Sequence, residues 1–188
     1  VNNILSFADN DIKNKKLYSS ILNNRIELLN INEIKLIIQD ARDYHALSKI
    51  LDSIKPQIII HLAAVSHSNR SNKDPYSTFD HSLRTLENAL DCSKNKVEQF
   101  IYFSSSMVYG NFNEKNVRED TECNPIGIYG ALKFSGEKLV IAYNQVFDLP
   151  YTIIRPSALY GERCISRRVG QIFIENAIQN KPIVIDGD

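Results

Sequence analysis

The chain has 188 residues, 43% of them hydrophobic, with 22 basic side chains balanced by 22 acidic ones. That length suits one domain or a little more, and the apolar content is enough for a packed core. Zero net charge argues against a nucleic-acid or membrane-surface binder, and no apolar run is long enough to span a bilayer.

The three cysteines, Cys92, Cys123 and Cys164, are far apart and form no C-x-x-C pair. They fit a reducing cytosol better than a disulfide framework or zinc site, so the expected location is cytoplasmic. Val1-Asn2-Asn3 opens without the apolar block of a signal peptide. The chain does not begin with methionine, and Ile185-Asp186-Gly187-Asp188 follows directly on a strand-like run. The expectation is a fragment cut at both ends.

In chain order, Val1–Leu5 reads as the tail of a strand, residues 6–14 as turn, and residues 15–22 as a short helix. The apolar runs 25–29 and 34–38 read as strands. Asp43 is an expected N-cap for a helix to about Ile54, with Ala46, Leu47, Ile50, Leu51 and Ile54 as its apolar stripe and Pro56 beyond its end. Residues 57–64 form a continuous apolar strand of the kind buried in parallel sheets. A polar loop (66–75), a long helix (76–93) and a buried strand (97–104) come next. After a loop at 111–125, a helix opens at Ile126 or Ile128 and runs to about Phe147. A strand (151–154), an amphipathic helix (169–178) and a last short strand (183–185) complete the chain. Strands alternating with helices predict an α/β doubly wound parallel sheet, whose ligands sit at the carboxyl ends of the strands. The candidates there are Asp40, Leu62-Ala63-Ala64, Ser104-Ser105-Ser106 and Pro156-Ser157.

Tyr129 and Lys133 stand four apart, which on a helix puts both on one face, one turn apart. A free phenol ionises near pH ~10 and is a poor base at neutrality. An ammonium group beside it favours the phenolate and makes a general base near working pH. The spacing also arises by chance in a chain with nine tyrosines. A serine after the strand at 97–104 can bond a substrate oxygen and share the proton traffic, or it can simply make a polar turn. Leu62-Ala63-Ala64 offers small side chains for close approach of a flat ligand, or ordinary core packing. Asp40 suits an adenine or ribose edge, or is an exposed loop carboxylate.

Taken in order, Asp40, His61-Leu62-Ala63-Ala64, Phe103-Ser104-Ser105-Ser106-Met107-Val108-Tyr109-Gly110, Tyr129-x-x-x-Lys133 and Arg155-Pro156-Ser157-Ala158-Leu159-Tyr160-Gly161 resemble one family. It is the extended short-chain dehydrogenase/reductase family, in its epimerase/dehydratase branch, with UDP-glucose 4-epimerase-like proteins most similar. The resemblance implies a Rossmann-like NAD(P)-binding domain over residues 1–162, lacking its first strand and glycine-rich turn. Residues 163–188 would begin a smaller substrate domain. It also implies a sugar-nucleotide substrate and a homodimer formed through the helices at 76–93 and 128–147.

By the same resemblance, Tyr129 is the catalytic base, and Lys133 holds the nicotinamide ribose and lowers the tyrosine pKa. The family's catalytic Ser/Thr lies four residues before Tyr109-Gly110, which selects Ser105. Asp40 and Ala41 match the adenine contact, and Leu62, Ala63 and Ala64 match the cofactor cleft. Ser104, Pro156 and Ser157 complete the cofactor side; Ser105, Ser106 and Tyr129 form the substrate side. The implied mechanism is C4 epimerisation. Tyr129 takes a proton from a sugar hydroxyl as hydride moves to NAD, the keto-sugar turns over, and hydride returns to its other face.

The chain also departs from the family pattern. The glycine-rich turn is absent, and Asn2 or Asn3 stands where an acid usually reads the ribose, so NAD and NADP both stay open. Ala158 replaces a usual Asn, and His81 and Arg84 replace a usual Asn and Gly. Ser106 and Met107 stand where related dehydratases carry an Asp-Glu pair, and methionine is neither acid nor base. An epimerase is therefore expected ahead of a dehydratase, a keto-sugar reductase or a non-catalytic dinucleotide binder. Arg163, Arg167 and Arg168 fit a solvated face or a phosphate contact.

Overall fold

Alternation along Gln99–Phe103 sets the architecture: Phe100 and Tyr102 are buried, while Gln99, Ile101 and Phe103 are only partly covered. A strand points successive side chains to opposite faces, so one face of this strand is a core face. The computed structural model describes residues 15–65, 68–112, 116–163 and 169–185. The expected strand tail at 1–5 with Asn2 and Asn3, the turn at 6–14, Ser66, Cys164, Arg167 and Arg168 lie outside the described residues.

Three strands, β1 (Ile58–His61), β2 (Gln99–Phe103) and β3 (Tyr151–Ile154), form a parallel sheet in the order β1-β2-β3. Ile59 pairs with Phe100 and Phe100 with Tyr151; His61 pairs with Tyr102 and Tyr102 with Ile153. These residues line one face. All but His61 pack with Leu86, Ala89, Leu90, Val140 and Leu149 into the core. On the opposite face Ile58 and Ile60 are more than half exposed. Parallel neighbours need long crossovers, and here both are helical. The fold is the expected Rossmann-like α/β architecture.

The helices are α1 (Lys15–Ile31), α2 (Tyr44–Ile54), α3 (Ser68–Lys73), α4 (Pro75–Phe79), α5 (Thr85–Ser93), α6 (Gly127–Phe147) and α7 (Val169–Ile178). Asp43 caps α2 by accepting from Ala46 N at 3.0 Å, and Lys55 ends it in the left-handed region at φ 50° just before Pro56. The expected single helix over 76–93 is interrupted by a π-helical turn at Asp80–Arg84 between α4 and α5. The strand expected over 57–64 forms only at Ile58–His61, and part of the expected 66–75 loop is α3.

Two compact units are present: residues 38–157, which hold the sheet, and residues 1–37 with 158–188, which hold α1 and α7. In the second unit the expected strand at 25–29 is instead helix. Leu22, Ile26 and Leu29 fall at i, i+4 and i+7, a helical face. Residues 34–38 and 183–185, also expected as strands, have no regular structure. A strand exists only as one member of a hydrogen-bonded pair, and neither run has a partner strand among the described residues. Within this unit Arg163 bonds Asn24 Oδ1 at 2.7 Å and pairs with Glu162 at 3.2 Å.

Candidate active site

α6 is seated before it is functional. Its N-cap position, Ile126, supplies no side-chain bond. Asn72 of α3 takes over that role, with its Oδ1 accepting from Ile128 N at 3.2 Å. Two glycines then bring the helix against β2 and the turn after it. A Cβ at Gly130 would meet Met107 O at 2.7 Å, and one at Gly136 would meet Tyr102 Oη at 2.3 Å. No side chain fits at either place. Tyr129, Lys133 and Glu137 therefore follow one another at four-residue spacing along a helix that lies directly on the strand end.

Lys133 is 6% exposed. Its Nζ donates to Phe103 O at 2.6 Å and lies 5.1 Å from the centre of the Tyr102 ring. Burial disfavours the ammonium and brings its pKa down to about 8. One N–H goes to Phe103, leaving two more donors on the ammonium. Tyr129 is half-buried one turn earlier. The Tyr102 hydroxyl is pushed up by burial, then by the charges of Glu137 and Tyr129.

His61 is 7% exposed. Its ring stacks on Phe100 at 6.1 Å and sits tilted against Tyr102 at 6.1 Å. Its Nε2 has no hydrogen-bond partner among the described residues. Burial first, and the nearby Lys133 charge second, hold its pKa down to about 4.

The three serines diverge as the chain leaves β2. Ser104 Oγ donates to Glu137 Oε1 at 2.5 Å, so that hydroxyl is committed to α6. Only the backbone of Ser104 remains to meet a cofactor. Ser105 is extended, 8% exposed, and its Oγ accepts from Met107 N at 3.2 Å, opening a 3₁₀ turn at Ser106–Tyr109. Ser106 is half-buried, and its N donates to Pro156 O at 3.0 Å, tying the ends of β2 and β3 together. Glu137 also accepts from Arg155 Nε at 2.9 Å and Nη2 at 2.8 Å. Arg155 Nη1 donates to Tyr109 Oη at 3.0 Å and Glu119 O at 2.9 Å.

These contacts place Ser104, Ser105, Ser106, Lys133 and Pro156 at the carboxyl ends of β2 and β3, with Tyr129 on the same helix. A cleft of about 950 Å³ runs along β3, lined by residues 151–155 with Ser106, Tyr109, Glu137 and Ser157 among others; Tyr129, Lys133 and Ser105 are not in its lining. At the end of β1, Leu62 and Ala63 are exposed and Ala64 is half-buried; Thr85 Oγ1 reaches Ala63 O at 3.4 Å. Asp40 is held by Arg42, whose N and Nε donate to its carboxylate at 2.9 and 3.0 Å, and its pKa is lowered to about 2 by that guanidinium. Asn88 of α5 donates to Ala41 O at 3.0 Å. Among the described residues no group of three or more His, Cys, Asp or Glu side chains could hold a metal. No helix among them is long and apolar enough to cross a membrane.

Sequence reasoning gave no role to Glu137, Arg155 or Asn72. Glu137 left a signal: a carboxylate at i+8 from Tyr129 and i+4 from Lys133, beside apolar Leu139 and Val140. Asn72 left none, because its bond to Ile128 spans 56 residues.

Residues 12–188 match the model of the NAD dependent epimerase/dehydratase family. A Bacillus subtilis protein named as an uncharacterized UDP-glucose epimerase is 33% identical over 76% of this chain and 45% of its own length. The dTDP-D-glucose 4,6-dehydratase of Dictyostelium discoideum is 30% identical over 90% of this chain and 42% of its own. The crystal structure of UDP-glucuronic acid 4-epimerase from Bacillus cereus, in complex with UDP-glucuronic acid and NAD, superposes with a TM-score of 0.79 at 30% identity. It covers 90% of this chain and 54% of that one. The chain thus spans about half the length of the relatives it matches.

Proposed function

This chain belongs to the NAD dependent epimerase/dehydratase family, and on that premise we propose that the full-length protein is an NAD-dependent nucleotide-sugar epimerase. It inverts a sugar carbinol, C4 in this reading, through a keto-sugar intermediate. The observation that carries the reading is the Tyr129–Lys133 pair on α6, seated by Lys133 Nζ on Phe103 O, two residues before Ser105.

The residues present suit a dinucleotide. Small Ala63 and Ala64, exposed and half-buried, follow β1, a buried ammonium with two uncommitted N–H groups sits under the end of β2, and Asp40 stands on an exposed loop. Asp40, Ala41, Leu62, Ala63 and Ala64 would line the adenine side; Lys133, the Ser104 backbone, Pro156 and Ser157 would line the nicotinamide side. NAD supplies the acceptor and donor of hydride when bound. Tyr129 removes the hydroxyl proton from the sugar and returns it in the reverse half-reaction. Lys133 favours the Tyr129 phenolate through its charge. Ser105 holds the reacting oxygen so that the transfer runs along a fixed hydrogen bond.

A dehydratase reading draws support from the Dictyostelium relative. It needs an acid and a base beside the catalytic hydroxyl, and Ser106 and Met107 supply neither. The rest of the reading concerns the whole protein. Residues 1–162 serve the cofactor, residue 163 onward begins the substrate domain, and the protein is a cytosolic homodimer.

The deciding experiment incubates the full-length protein with NAD and a panel of UDP- and dTDP-sugars. Redox-neutral interconversion of C4 epimers is expected. Stoichiometric reduction of NAD to NADH would replace the epimerase reading with a dehydrogenase. Net NAD(P)H consumption in a parallel assay supplied with NAD(P)H and a keto-sugar would replace it with a reductase, and loss of water from the sugar would replace it with a dehydratase.

A further inference from the structure

Glu137 is 1% exposed, eight residues after Tyr129 on the same helix stripe. A buried carboxylate is costly unless its oxygens are satisfied. Those of Glu137 are, by Ser104 Oγ at 2.5 Å and by Arg155 through Nε at 2.9 Å and Nη2 at 2.8 Å. Ser104 directly follows β2 and directly precedes Ser105. Arg155 directly follows β3. The single carboxylate therefore ties α6 to the carboxyl ends of both adjacent strands. Arg155 extends the tie into the loop beyond Ser105 through Tyr109 Oη and Glu119 O.

The helix has little freedom left. Gly130 and Gly136 already press it against Met107 O and the Tyr102 ring. Sliding or rotation of α6 would have to break a bidentate, charge-assisted pair between a buried carboxylate and a partly exposed guanidinium, a strong kind of hydrogen-bonded contact. Tyr129 is about 12 Å along the axis from Glu137 at the rise of an α-helix. Nearer Tyr129, α6 is also held by Lys133 Nζ on Phe103 O and by Asn72 Oδ1 on Ile128 N.

We propose that Glu137 is the positioning residue of the active site. It sets the rotation of α6, and so the placement of Tyr129 and Lys133 relative to Ser105, and it balances the Arg155 charge at the end of β3. The groups facing it are Tyr102 and Ser104 at β2 and Arg155 after β3, with Tyr109 beyond Arg155. Cys123 in the preceding loop feels both members of the ion pair. The inference rests on the proposed roles of Tyr129 and Lys133.

The test uses the full-length enzyme with NAD and its sugar nucleotide. Glu137→Gln keeps shape and leaves the Arg155 charge unbalanced. A permanent cation favours a nearby phenolate, so the acid limb of the kcat profile should move to lower pH. With the lost Glu137 charge roughly 12 Å along the helix from Tyr129 and an effective dielectric of about 20 to 40, the shift is about half a pH unit to one unit. kcat should fall about 10- to 100-fold, while KM and NAD affinity change less than 3-fold. Glu137→Gln/Arg155→Gln removes both charges; its limb should return to the wild-type position with kcat still low.

A kcat loss without a moved limb, a moved limb without a kcat loss, or an equal loss of NAD affinity marks general packing and overturns the proposal. Should Glu137→Gln fail to fold, Ser104→Ala decides. That variant keeps the ion pair, and a drop of about 5-fold or more in kcat at constant KM supports the proposal, whereas an unchanged kcat overturns it. Tyr129→Phe is the control for the underlying reading. If Tyr129→Phe stays active, the reading itself fails. If it is inactive while Glu137→Gln and Ser104→Ala match wild type, only the role of Glu137 fails.

Discussion

The two ends of the three-stranded sheet bury different material. At the amino ends of β1 and β2, a cavity of about 370 Å³ is lined by Leu51, Pro56, Ile59, Cys92 and Val97. Its ion pair, Lys96 Nζ to Asp52 at 2.8 Å, lies at the exposed rim, and Cys92 is 2% exposed with its thiol pushed up by burial. At the carboxyl ends the buried polar groups include His61, Ser104, Ser105, Lys133 and Glu137, the last two and Ser104 bonded across elements. The pockets differ in volume, about 370 against about 950 Å³, but size alone does not mark a site. The difference lies in which groups are forced out of water. Apolar lining gains from burial, whereas buried hydroxyls and charges must be bonded, and that fixes their geometry. In parallel α/β sheets ligands gather at the carboxyl end, and here that end carries the groups able to move protons.

The sharpest way to break this contrast is Tyr129→Phe in the full-length enzyme. A turnover loss of about 10³-fold or more is expected, in line with removal of a general base. Turnover within 10-fold of wild type would strip the carboxyl end of its special status. Next comes Ser105→Ala, expected to cost about 10²-fold in kcat, against less than about 5-fold for Ser106→Ala; the reverse ranking would move the catalytic hydroxyl by one residue. Lys133→Met removes the cation one helical turn from Tyr129, so the pH optimum should rise by about one unit and NAD should bind more weakly. An unchanged pH profile would detach Lys133 from Tyr129.

Two smaller effects concern stability. The pKa of His61 is held at about 4 in the fold, against 6.5 in the unfolded chain. As pH falls below 6.5 the unfolded chain takes up the proton first, so stability is lost progressively down to pH 4. The loss amounts to about 3 kcal/mol at most, and urea unfolding at pH 7 and pH 4.5 should reveal it. His61→Gln should flatten that dependence; an equally steep one would assign it to other groups. Leu51→Ala at the amino end should cost about 1–3 kcal/mol in the same assay and leave kcat within 2-fold. A large kcat change there would erase the contrast between the ends.

What could be read in advance follows the range of the interactions. The Asp43 cap and the end of α2 at Pro56 are decided within a few residues, and both were legible. So were β2, β3, α7 and the reach of α6 to Phe147, each set by a local apolar pattern. Residues 34–38 have the β-branched composition of a strand, yet pairing is not encoded in the run itself. Residues 25–29 misled because Ile26, Leu28 and Leu29 were read apart from Leu22, which completes a helical face. α3, built from Ser68-Asn69-Arg70-Ser71-Asn72-Lys73, has no apolar period to announce it. At the site, Tyr129, Lys133 and Ser105 stood out by spacing and motif. Glu137 did not, because its partners Ser104 and Arg155 lie 33 and 18 residues away.

The bond from Asn72 to Ile128 gives the first turn of α6 an outside dependency. That amide, one residue before Tyr129, stays protected from solvent exchange only while the six-residue α3 remains docked. Short polar helices belong to the least stable parts of a fold and open without global unfolding. The turn carrying Tyr129 thus inherits the opening rate of a segment remote in sequence. Amide exchange at Ile128 should report the undocking of α3 before any other position along α6 responds.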